Sequence, residues 1–135
     1  MNLLFICKHN CFRSKVAEAY FNKINKNKHI HVKSAGLIKG SCSKPITVKA
    51  AREMGLQIKG CSRGLSSKIL VWQNMTVIVA NNVPPEIFNH KYFGKPLIIW
   101  KIKDTGSKNK AEIKRIIKII IKKVDKLVLD LKDVK

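Results

Sequence analysis

Acidic side chains are scarce in this chain: 8 Asp and Glu stand against 28 Lys and Arg among 135 residues, a formal net charge of +20. An excess of that size draws anionic ligands by long-range attraction. Arginine is also rare, at four residues, the lysines are spread over the whole length, and neither zinc-finger spacing nor an RNA-binding aromatic signature is present. Specific nucleic-acid binding is therefore not expected. No apolar run approaches the roughly 18 residues that a membrane span needs. The N-terminus opens as MNLLFIC, with no basic region before the apolar stretch and no cleavage site after it, which predicts a cytoplasmic protein. Cysteine is limited to Cys7, Cys11, Cys42 and Cys61. In a reducing compartment these are thiols, and at least one asks for a chemical explanation. Metal-ligand spacing and the dinucleotide glycine fingerprint are both missing, so neither a metal nor an organic cofactor is expected. Internal repeats and Gly/Ser/Pro-rich linkers are missing too, which leaves residues 1–135 as a single domain with room for one core. A hydrophobic fraction of 45% excludes disorder of the whole chain.

What is present alternates between two periods. Leu3 to Ile6 is a continuous apolar run of the kind that forms a buried parallel strand. From Ser14 the spacing becomes helical, with Val16, Ala17, Tyr20, Phe21 and Ile24 on one stripe. A second strand is expected at His29 to Lys33, then a helix from Pro45 to about Met54 closed by Gly55. Thr76 to Ala80 and Pro96 to Trp100 are the remaining strands, flanking NNVPPEIF, which reads as a turn and a short helix. Asn109 to Val134 forms a long amphipathic helix, with Ile113, Ile116, Ile117, Ile120, Val124, Leu127, Val128 and Leu131 on one face and lysines opposite. A membrane-surface helix shares that pattern, but packing on a sheet is the commoner role. The alternation predicts an α/β fold with a mostly parallel four-stranded sheet covered on both faces.

The first strand ends on Cys7, and in open α/β sheets ligands bind at the carboxyl ends of the strands. From Cys7 to Arg13 and Ser14 the chain passes from a strand to a helix start, where free N–H groups and the helix dipole favour an anion. Such a field also favours the thiolate of a cysteine placed within it. Arg13 offers two parallel donors to phosphate oxygens, a geometry lysine lacks. Ser14 can donate its hydroxyl to the cysteine sulfur, and Asn10 can hold the loop open with its side chain. The alternative reading makes Cys7 a small buried hydrophobe at a strand end.

The stretch LLFICKHNCFRSKVAEAYF resembles the low-molecular-weight protein tyrosine phosphatase family, whose signature is an apolar strand, C-x5-R-S and an Ala-Glu-Ala helix. Ser34-Ala35-Gly36, KAAREMGLQIKGCSRGLS and IIWKIKD resemble further blocks of the same family. The resemblance implies a flavodoxin-like three-layer sandwich. It also implies a two-step phosphocysteine mechanism on phosphotyrosine or similar aryl phosphomonoesters, with a phosphorylated protein or a small aryl phosphate as substrate. Cys7 is then the nucleophile and Arg13 the phosphate clamp, and the substrate loop comprises Lys8, His9, Asn10, Cys11, Phe12, Arg13 and Ser14. Asp104 is the single Asp in the first 124 residues and is expected just past the last strand, as general acid and then base. An ordinary turn-forming Asp is the plain alternative.

The chain departs from the family at several points. Asp104-Thr105 stands where the family usually has Asp-Pro, which predicts a less rigid acid loop, and TGSKNK carries no tyrosine to flank a substrate ring. His9 replaces a frequent glycine and, with Asn10, resembles arsenate reductases of the same fold. Arsenate reduction is thus the main rival, although its usual resolving cysteines have no counterpart in TVIVANNVPPEIF. Cys11 could instead form a reversible disulfide with Cys7, while Cys42 and Cys61 read as plain loop thiols. A non-catalytic phosphate- or polyanion-binding module is the third reading. Lys8, Lys15, Lys101 and Lys103 are expected to ring the site and favour acidic substrates.

Overall fold

Leu3, Leu4, Phe5 and Ile6 are all fully buried, because the strand they build is covered on both faces and successive side chains point to opposite sides. The computed structural model describes residues 1–41, 43–58, 61–88, 95–105 and 108–135. Within them β1 (Asn2–Cys7), β2 (His31–Gly36), β3 (Met75–Val79) and β4 (Leu97–Trp100) form one four-stranded sheet in the order β2-β1-β3-β4. Every pairing is parallel. The helices are α1 (Arg13–Ile24), α2 (Pro45–Glu53), α3 (Ser67–Trp72) and α4 (Lys110–Asp130), with a short 3-10 turn at Pro85–Phe88. The expected α/β sandwich with a parallel sheet is therefore found.

The two faces of β1 feed two cores. Leu3 and Phe5, with Val77, Val79 and Trp100, pack under Val16, Ala17 and Phe21 of α1, Ala50 and Ala51 of α2, and the Ile113–Leu127 stripe of α4. Leu4 and Ile6, with Ile78, pack against Ile69 of α3, Val83 and Phe88. Each large side chain so buried contributes about 1.5–3 kcal/mol. Phe5 sits between Phe21 and Trp100, with ring centroids 6.1 and 6.0 Å away. Asn109 accepts from the Ala111 N–H at 2.9 Å to start α4, and Pro45 occupies the first turn of α2 as its fixed φ favours.

Three expectations need correction. β2 runs to Gly36 rather than stopping at Lys33: Ser34, Ala35 and Gly36 pair with Phe5, Ile6 and Cys7, and small residues there mimic a loop in the sequence. α3 was not expected, since six residues are too few to show a helical period; its start is marked by Ser66, whose hydroxyl accepts from the Ile69 N–H. α4 ends at Asp130 rather than Val134, with residues 131–133 forming a turn.

α1 and α4 are joined at their solvent-facing sides by the Tyr20 hydroxyl, which donates to Asp125 at 2.6 Å. That bond, with some burial, pushes the phenol up to about 12 from its ordinary 10. A raised folded-state value means the stabilisation is complete below pH 10 and lost as pH rises through about 12. We expect Tyr20→Phe to lower stability by about 0.5–1 kcal/mol at neutral pH. In urea titrations the difference from wild type should hold up to the lower of those two pH values and vanish past the upper one.

Candidate active site

Cys7 closes β1 at 2% exposure, and the chain reaches Arg13, the first residue of α1, through one tight loop. Its shape turns on Asn10, whose φ of 55° lies in the left-handed region that Asn tolerates better than most residues. The Asn10 N–H donates to Cys7 Sγ at 3.2 Å. Its side-chain amide donates to Ser14 Oγ at 2.8 Å and Ser34 Oγ at 2.9 Å, and its Oδ1 accepts from the Arg63 N–H at 2.9 Å. The Ser34 hydroxyl in turn donates to Glu18 Oε1 at 2.8 Å. Ser14 Oγ accepts from Asn10 and lies 3.0 Å from Cys7 Sγ, where its hydroxyl hydrogen can point at the sulfur. No side chain caps the start of α1 and no acid lies in its first turn, so the helix start faces the loop as an anion site.

Arg13 is 1% exposed, and its guanidinium is anchored at both terminal nitrogens. Nη1 donates to the Ile102 carbonyl at 2.9 Å. Nη2 donates to Asn82 Oδ1 at 3.0 Å and lies 3.4 Å from Asp104 Oδ2. Asp104 is half exposed, and its Oδ1 accepts from the Thr105 N–H at 2.9 Å. Cys7, Arg13, Asp104 and Thr105 line one pocket of about 470 Å³, together with His9, Cys11, Phe12 and a wall formed by Ile38–Ser41, Lys44 and Thr47. The wall can stand so close because Gly40 has no Cβ: one built there would meet Cys11 Sγ at 2.8 Å and His9 Cβ at 2.9 Å.

Two thiols therefore share the pocket, and they differ. Cys11 donates to the Ser41 carbonyl at 2.8 Å, and burial, followed by neighbouring Cys7, raises its pKa above the ordinary thiol value. Both are free cysteines.

A sulfur at a strand end, an uncapped helix start and a buried arginine beside a carboxylate thus meet at one end of the sheet. The model of the family described as low molecular weight phosphotyrosine protein phosphatase matches residues 2–135. The chain belongs to that family. No curated protein sequence matches it. Among solved structures, a YwlE mutant from Bacillus subtilis is similar with a TM-score of 0.84 at 19% identity, over 98% of this chain and 99% of that one. An arsenate reductase from Archaeoglobus fulgidus gives 0.72 at 26% identity, over 93% and 98%. A low molecular weight phosphotyrosine phosphatase from Vibrio cholerae O395 gives 0.85 at 15% identity, over 98% and 97%. These likenesses show the flavodoxin-like fold expected of a low molecular weight phosphatase.

The structure brings most of the expected residues of this family member together. Cys7, His9, Cys11, Phe12, Arg13 and Asp104 line the pocket, while Asn10 and Ser14 act from behind it. Lys8 is half-buried outside the lining, and the expected ring of Lys8, Lys15, Lys101 and Lys103 does not form: Lys15 is buried, and Lys39 and Lys44 occupy the rim instead. The reason is topological, since the wall after β2 crosses the mouth of the pocket while Lys101 and Lys103 flank Ile102 on an exposed edge. Cys61 is exposed and outside the pocket; Cys42 and residues 59–60 and 106–107 lie outside the described residues. Asn82 and Glu18 were not anticipated. Asn82 had a signal, its place directly after a buried strand; Glu18 had none beyond its helix.

Asn10→Ala should cost about 2–4 kcal/mol, through buried groups left unpaired and an L-residue forced into the left-handed region. Asn10→Gly should recover about 1 kcal/mol of that by relieving the backbone alone. Chemical denaturation of the three proteins measures both steps, and equal losses in the two variants would mean that φ at this position is not constrained.

Proposed function

We propose that this protein is a cytoplasmic, single-domain phosphatase that hydrolyses phosphotyrosine or similar aryl phosphomonoesters through a phosphocysteine intermediate. The observation that carries the reading is the shared pocket in which Cys7 Sγ, the uncapped start of α1, the anchored Arg13 guanidinium and the Asp104 carboxyl all meet. Arg13 and the free N–H groups of the loop hold the phosphoryl oxygens. The Cys7 sulfur attacks phosphorus in line, forming the S–P bond as the P–O bond to the leaving group breaks. Asp104 delivers its proton to the departing oxygen. In the second step the Asp104 carboxylate takes a proton from water, the water oxygen attacks phosphorus, and the S–P bond breaks. Ser14 assists here, its hydroxyl 3.0 Å from the sulfur donating to the departing thiolate. The raised pKa of Cys11, caused first by burial, favours its thiol form over the nucleophilic thiolate. The proposed steps draw on the chain's own side chains and backbone N–H groups and call on no cofactor.

Turnover of p-nitrophenyl phosphate under reducing conditions, without added metal, tests the reading. Cys7→Ser should abolish it, Arg13→Lys should lower it steeply, and Asp104→Asn should reduce kcat by about 10²–10⁴. An unimpaired Asp104→Asn would move the acid elsewhere, and an inactive wild type would overturn the phosphatase. Because the A. fulgidus neighbour is an arsenate reductase at 26% identity, thioredoxin-coupled arsenate reduction is the assay to run beside it; activity there alone would replace the reading.

A further inference from the structure

The pocket is larger than a phosphoryl group requires. At about 470 Å³ it falls in the range of roughly 300–1,000 Å³ typical of sites for whole small ligands, so its rim meets whatever is attached to the phosphate. Two lysines stand there. Lys39 and Lys44 line the pocket, and among the described residues neither has a carboxylate partner. Among the described lining residues Asp104 is the sole acid, and it already lies beside Arg13.

Both lysines rise from fixed backbone. The Lys39 main chain lies against Gly64, where a built Cβ would come within 3.1 Å of Lys39 Cβ and 3.3 Å of its nitrogen. Gly64 is in turn bridged to Gly36 at the end of β2, so Lys39 is tied to the sheet. Lys44 precedes α2, and its carbonyl accepts from the Thr47 and Val48 N–H groups at 3.0 Å each. Only the ends of the two side chains are free to reach a ligand. The Lys44 charge is felt inside the pocket, where it opposes the rise of the Cys11 pKa. Ile38, 54% exposed, lines the same pocket and adds an apolar surface to it.

We infer that Lys39 and Lys44 form a second anion subsite beside the phosphoryl site, which selects phosphorylated peptides carrying an acidic side chain next to the phosphorylated residue. The inference rests on the phosphatase reading for the phosphoryl group, and it assigns the peptide's neighbouring carboxylate to the rim. The attraction is exposed to solvent, so it acts on binding and is screened by salt.

Binding to the Cys7→Ser protein separates this from catalysis. Calorimetry would compare a phosphotyrosine peptide flanked by Glu with the same peptide flanked by Gln, in the Cys7→Ser background with and without Lys39→Glu and Lys44→Glu. The acidic peptide should bind about three- to tenfold more tightly at low salt. That preference should fall to parity or reverse in the charge-reversed protein, and shrink at high salt in the parent. Equal affinities for the two peptides, or a preference that survives charge reversal, would overturn the subsite. Failure of the phosphatase reading shows elsewhere: a wild type that binds the acidic peptide through these lysines but turns over no phosphate ester keeps the subsite and loses the enzyme.

Discussion

A guanidinium at 1% exposure is the constraint around which this end of the molecule is organised. An unpaired buried charge costs several kcal/mol, so the fold must supply acceptors wherever Arg13 is placed. It does so from two separate chain segments: Asn82 follows β3, and Ile102 and Asp104 follow β4. The Ile102 carbonyl also accepts from the Asn81 N–H at 3.1 Å, so the loops after β3 and β4 are locked to each other as well as to the arginine. The strand order explains why they can meet. The chain leaves β1 for β2 on one side and returns to β3 on the other, and at such a reversal the loops diverge and leave a crevice over the strand ends. Arg13 spans that crevice.

The opposite wall of the crevice is built from absence. Gly36 pairs with Cys7, and a Cβ there would come within 2.6 Å of the His9 carbonyl carbon and 2.8 Å of the Asn10 nitrogen. A residue with a side chain would push the loop off the end of the sheet and with it the Asn10 N–H that contacts Cys7 Sγ. Ser34, two residues earlier, contributes a hydroxyl small enough to be buried and polar enough to hold Asn10. The end of β2 is thus chosen for close approach and hydrogen bonding, and apolar bulk is left to the strand's neighbours.

That division of labour also explains what could be read from the sequence. β1, β3 and α4 announce themselves because burial fills them with Leu, Ile and Val at the proper period. The end of β2 does not, since Ser34-Ala35-Gly36 looks like a turn to any rule based on hydrophobicity. The place of the loop from Cys7 to Ser14 was legible because an apolar run ends at Cys7 and helical spacing begins at Ser14. The rim was not: 28 cations are spread along the chain, and which of them face the pocket depends on how the segment after β2 crosses it. Lysines adjacent in sequence to the loop and to Asp104 were the natural expectation, yet Lys15 turns into the protein and Lys39 and Lys44 arrive from elsewhere.

Asp104 shows how a substitution that looks weakening can be compensated locally. A proline at position 105 would stiffen the chain but would present no N–H. Thr105 keeps its N–H and donates it to Asp104 Oδ1 at 2.9 Å, so one carboxyl oxygen is fixed by a hydrogen bond in place of ring rigidity. Among the described residues the other oxygen has the looser 3.4 Å contact with Arg13 Nη2. In the proposed reaction the guanidinium is drawn toward the phosphoryl oxygens, and the longer of the two contacts is the one that yields. Oδ2 is then the oxygen released to carry a proton, with Oδ1 still held in place, so the same pair that stores Asp104 beside Arg13 frees it when phosphate takes over as the arginine's partner.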